Sequence, residues 1–86
     1  MPNDFSSRLS REHIAARIDF GDDVEFTYNG RRFTILGWYD GGPLIAEVDT
    51  GKEEQKQQFK DGASLLSGYL IDGIPLGDIL DRITLY

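Results

Sequence analysis

The chain has 86 residues, nine Lys plus Arg against fifteen Asp plus Glu, one His and no Cys. That length fits one small domain whose thin core forms without a disulfide or a thiolate zinc site. The formal charge of −6 gives no basic footprint for nucleic acid, so direct phosphate binding is not expected.

The charge is uneven. Residues 1–34 carry five basic and six acidic groups, and residues 35–86 carry four and nine. Such an acidic half serves solubility, and it also suits a basic partner. No window holds the run of about 20 apolar residues that a membrane helix needs. Met1-Pro2-Asn3-Asp4 lacks a basic stretch followed by an apolar one, so no signal peptide is read and a cytoplasmic protein without membrane contact is expected.

In chain order, residues 1–8 are expected to be flexible. Residues 9–21 read as a helix. Ser10 is placed as N-cap, Leu9 and Ile14 have the spacing of a hydrophobic staple, and Ile14, Ala15 and Ile18 share a face. Gly21 stands where a left-handed residue ends a helix.

Residues 23–49 read as a β-meander. Val24, Phe26 and Tyr28 alternate with polar residues, and Asn29-Gly30 is the pair favoured in a two-residue type I′ turn. That turn fixes a register in which opposed residue numbers add to 59. Phe26 then faces Phe33 and Val24 faces Ile35. The next turn is read as Asp40-Gly41-Gly42-Pro43. The opposed numbers would then add to 83, placing Ile35 opposite Val48, Tyr39 opposite Leu44 and Trp38 opposite Ile45.

Residues 49–58 are polar and read as a loop or a ragged edge strand. Residues 61–86 are expected to carry two short helices. Asp61 caps the first, which bears Leu65 and Leu66 and stops at Gly68. Pro75 opens the second, where Leu76, Ile79, Leu80 and Ile83 form a helical stripe. Thr84-Leu85-Tyr86 is placed to extend along the sheet.

The fold class expected is α+β: a three-stranded antiparallel meander with the two C-terminal helices on its core face. The N-terminal helix lies against an edge or the opposite face. The expected core is Val24, Phe26, Phe33, Ile35, Val48, Leu65, Leu66, Leu76, Ile79, Leu80 and Ile83.

The hairpin Glu25 to Gly30 with Arg32-Phe33, then Phe59, Leu65-Leu66, Ile71-Asp72-Gly73, Leu76 and Ile79-Leu80, resembles a diffuse group of small proteins of Gram-positive bacteria and their phages and mobile elements. The resemblance covers about residues 23–85. It implies a fold of meander followed by short helices, in a bacterial cell or phage-infected host, and no activity or site residue.

Catalytic chemistry finds little support. His13 is the single histidine, and its spacing from Ser10 is that of helix capping rather than of a triad. The pairs Asp22-Asp23 and Glu53-Glu54 point to opposite faces of an extended chain. A cation site from Asp19, Asp22 and Asp23 lacks any recognised ligand spacing. No phosphate-binding glycine motif is present. Arg31-Arg32 can touch an acidic partner or simply keep the hairpin end soluble. No catalytic, metal or cofactor site is expected, and no enzyme.

The best candidate is a protein-binding surface. The register assigned to the second turn sends Leu36, Trp38 and Ile45, with Glu47 beside Leu36, to the face opposite the core. That face is either covered by the N-terminal helix or Phe5, or open to a partner. The leading expectation is a non-enzymatic protein-binding module, as a monomer or weak homodimer. The alternative is an acidic inhibitor from a phage or mobile element that neutralises a basic nucleic-acid-binding protein, in the manner of an anti-CRISPR, antitoxin or immunity protein.

Overall fold

The structure is a computed structural model and describes residues 10–37, 40–53 and 55–85. The staple residue Leu9, as well as Phe5, Trp38 and Tyr39, lies outside the described residues.

Helix α1 spans Arg11–Phe20. The Ser10 hydroxyl accepts from the His13 amide at 3.2 Å, as a capping serine should. At the other end Gly21 takes φ of 103° and its amide returns to the Ile18 carbonyl, while the Asp22 amide reaches the Arg17 carbonyl. Ile14 and Ile18 are its buried residues.

Strands β1 (Val24–Tyr28) and β2 (Arg31–Leu36) pair in the expected register, with Val24 opposite Ile35 and Phe26 opposite Phe33. Asn29 and Gly30 have φ of 53° and 76°, as a type I′ turn requires. The rings of Phe26 and Phe33 stack with centroids 4.9 Å apart.

The register of β3 (Leu44–Val48) differs from the expectation. Ile35 lies opposite Ile45, Leu36 opposite Leu44 and Phe33 opposite Glu47. Opposed numbers add to 80, not 83. An odd shift exchanges the two faces of a strand. Ile45 therefore enters the core with 1 % exposure, and Val48 leaves it for the other face, half-buried. The cause is the connection. β2 ends at Leu36, because a side chain on Gly37 would collide with the carbonyls of Asp22 and Ile18 at the end of α1. The return path to Leu44 is thus a wide loop rather than the four-residue turn Asp40–Pro43. Gly41 and Gly42 have φ of 94° and 119°. The Gln58 side-chain amide donates to the Asp40 and Gly42 carbonyls at 2.7 and 3.0 Å.

β4 (Gln57–Gln58) pairs with the start of β3, and β7 (Thr84–Leu85) pairs with β1. The sheet is therefore five-stranded in the order β4-β3-β2-β1-β7 rather than a three-stranded meander. The end of the chain does run along the sheet, with Leu85 opposite Phe26.

Helix α2 spans Gly62–Gly68. The Asp61 carboxylate caps it by accepting from the Ser64 amide at 2.8 Å. A hairpin of β5 (Leu70–Ile71) and β6 (Ile74–Pro75) turns at Asp72-Gly73, whose φ values are 55° and 83°.

The second C-terminal helix does not form. Only Leu76–Asp78 makes a 3₁₀ turn, and a further turn carries the Arg82 amide back to the Ile79 carbonyl. The stretch is too short to sustain a helix alone. Gly77 and the Arg11–Asp78 ion pair at 2.9 Å dock it instead on α1. Leu76, Ile79, Leu80 and Ile83 are nevertheless all buried.

One core joins these elements. Ile14 and Ile18 of α1 belong to the same cluster as Phe26, Phe33, Ile35, Ile45, Leu65, Leu66 and Leu76. Both helices thus cover the same sheet face. The alternative in which α1 covers the opposite face is excluded. Where the helices touch, a Cβ on Gly62 would stand 2.6 Å from the Ala15 carbonyl oxygen, and the Gly62 amide donates to the Asp19 carboxylate at 2.7 Å.

Candidate protein-binding surface

The pairing defines the sheet face turned away from the helices. Across it run the rows Thr84, Thr27, Arg32 and Val48; then Glu25, Thr34 and Ala46; then Leu36, Leu44 and Gln58. Threonines fill its middle. Its apolar part is the β2–β3 half, where a groove of about 210 Å³ is lined by Thr34, Leu36, Leu44, Ala46, Val48 and Lys56, with Ile45 reached through β3. Leu44 and Ala46 are buried, whereas Leu36 and Val48 are half-buried. Arg32 at the edge of this face pairs with Asp49 at 3.0 Å.

The four residues expected to share one surface do not do so. Leu36 lies on this face, and Trp38 is outside the described residues. Ile45 is in the core, and Glu47 lies on the helix face opposite Phe33. The cause is the register of β3, which reverses the facing of every one of its side chains. The residues that join Leu36 are Ala46 and Val48, not Ile45 and Glu47.

Glu47 has a structural task that the sequence reading did not identify. Its two oxygens accept from Arg31 Nε and Nη2 at 3.0 and 2.9 Å, and Arg31 Nη1 donates to Asp72 at 2.9 Å. The guanidinium lies 5.5 Å from the centre of the Phe33 ring. Arg31 therefore fastens the β5–β6 hairpin to β2 and β3, instead of offering a charge to solvent. Its hydrogen bonds hold the Glu47 carboxyl below its usual value. Beside it, burial pushes the Tyr69 hydroxyl up, and the Glu47 charge adds to that. A pairing of Arg31 with Glu47 follows from the sequence only once the β2–β3 register is known.

His13 is exposed, and its amide serves the cap of α1. Asp19 holds the Gly62 amide, and Asp22 lies 3.6 Å from Arg17. Among the described residues, no group of three or more His, Asp or Glu side chains is placed to hold a metal ion. No helix among them is long and apolar enough to cross a membrane. Phe20, at the end of α1, is the most exposed of the large apolar side chains described, at 82 %. The sequence reading did not single it out.

Comparison of the chain with protein-family models, with curated proteins and with solved structures returns no significant match. A functional reading therefore rests on the residues themselves.

Proposed function

We propose that the chain is a non-enzymatic protein-binding module acting through the sheet face turned away from its helices. The observation that supports this is the apolar groove over Leu36, Ala46 and Val48 on a face that neither helix covers. Apolar concave surface bounded by polar groups is what a protein partner recognises. Val48 is the residue to change, because it is half-buried and lies outside the core cluster. Val48→Lys should reduce capture of the partner in affinity purification from the native host by about tenfold or more. Its unfolding midpoint should stay close to that of the unaltered protein. Equal capture by both proteins would reject this surface.

The second reading is an acidic inhibitor of a basic nucleic-acid-binding protein. It draws on the placement of charge. Arg11, Arg17, Arg31 and Arg32 are each held by carboxylates. Exposed Asp23, Glu25, Asp40, Glu53 and Asp81 carry much of the surplus negative charge. Opposite charges speed and orient such an encounter, and salt weakens it. Binding to a basic target that is unchanged by raised salt would sink this reading.

A further inference from the structure

The ladder between β3 and β4 stops early. β3 pairs with β2 from Leu44 to Val48, whereas β4 meets it only at Leu44 and Ile45. The Phe59 amide donates to the Pro43 carbonyl at 2.9 Å. Strand alternation then turns the peptide groups of residues 43, 45 and 47 toward the β4 side. β4 and Phe59 meet those of 43 and 45. The Glu47 N–H and C=O face outward with no strand beside them among the described residues.

Two grooves flank this short open edge. On the helix side, a cavity of about 630 Å³ is lined by Glu47, Lys52, Glu53, Gln57 and Tyr69 among others. On the other side lies the apolar groove over Ala46 and Val48. An added strand presents alternate side chains to the two faces of a sheet, so one strand beside β3 would place one set in each groove.

We propose that the β3 edge at Glu47 accepts an extended segment of a partner protein as an added strand, with basic side chains alternating with aliphatic ones. This rests on the protein-binding reading and names the form of its partner. The aliphatic set packs over Ala46 and Val48. The basic set faces Glu47 and Glu53. A second copy of this chain is a poor occupant, because each copy carries a net charge of −6 and would bring Glu47 against a like-charged edge.

The test uses a synthetic peptide of about six residues alternating valine and lysine, the length of an ordinary strand. Its control has the same composition with the valines and lysines in separate blocks. The alternating peptide should bind at least about tenfold more tightly by calorimetry. It should also slow hydrogen exchange of the Glu47 amide by about tenfold or more. Glu47→Gln should keep that affinity difference, while Glu47→Pro, which removes the outward donor, should abolish it. The exchange measurement on the unaltered protein stands even if Glu47→Pro fails to fold. Equal binding of the two peptides, or an unprotected Glu47 amide in the bound state, overturns strand addition. If Val48→Lys nevertheless blocks capture of the native partner, the protein-binding face survives that failure.

Discussion

At the scale of single residues, glycines set the closest approaches. Glycine ordinarily weakens a helix relative to alanine by about 1 kcal/mol. Gly62 reverses that preference, because a Cβ would stand 2.6 Å from the Ala15 carbonyl oxygen on the facing helix. Overpacking of that kind costs about 1–3 kcal/mol. Gly62→Ala should therefore destabilise the protein by about 1–2 kcal/mol net, read as a lower denaturation midpoint at unchanged slope. A gain in stability would show that the helices can separate at no cost. Phe33 is the other extreme. It is fully buried, stacked on Phe26 and met edge-on by Tyr69. Phe33→Ala should cost about 3–5 kcal/mol. For a small domain of about 5–10 kcal/mol total stability, that leaves little folded protein at modest temperature, as circular dichroism would report.

At the scale of elements, the Arg31 clasp gives the fold a pH dependence. Glu47 has its carboxyl pKa lowered in the folded state, first by the hydrogen bonds from Arg31. A depressed folded pKa means that the contribution to stability is fully present above the unfolded value of 4.5. It is lost as pH falls through the lower, folded value. Stability should therefore drop with acid more steeply in the unaltered protein than in Glu47→Gln. Parallel curves for the two proteins below about pH 5 would remove Glu47 from the account.

The legibility of each element follows from how locally it is determined. The β1–β2 hairpin could be read to the residue, because Asn29-Gly30 fixes both turn and register and the apolar pattern agrees. Both helix caps, Ser10 and Asp61, were also local signals. The β2–β3 register was not, because the loop after Leu36 depends on Gly37 meeting α1 and on Gln58 reaching back from β4. Those partners are distant in sequence. The stripe Leu76, Ile79, Leu80 and Ile83 correctly marked burial but not helix, since successive tight turns satisfy the same spacing over so short a stretch. The candidate surface inherited the register error, so Leu36 kept its place and Ile45 and Glu47 lost theirs.

At the scale of the whole molecule, one sheet face carries all the packing and the other is left to threonine, alanine and two half-buried aliphatic residues. Hydrogen exchange should rank accordingly. Amides of β1, β2 and the inward-bonded positions of β3 should be the slowest, and residues 49–53 and the Glu47 amide among the fastest. A Glu47 amide as slow as those of Ala46 and Val48 in the free protein would mean that its edge is already occupied.

The pairing of Phe26 with Leu85 has a kinetic consequence. The β1–β2 hairpin closes a loop of two residues, while β7 reaches β1 only after nearly the whole chain has been gathered in. Loop-closure entropy orders these events, with the hairpin early and β7 late. Until β7 docks, the outer edge of β1 is bare beside Phe26, at the centre of the core. A chain cut or stalled before Thr84 would expose that edge as a template for another strand. The two residues of β7 thus act as a late seal on the folding chain, protecting it from its neighbours as well as completing its sheet.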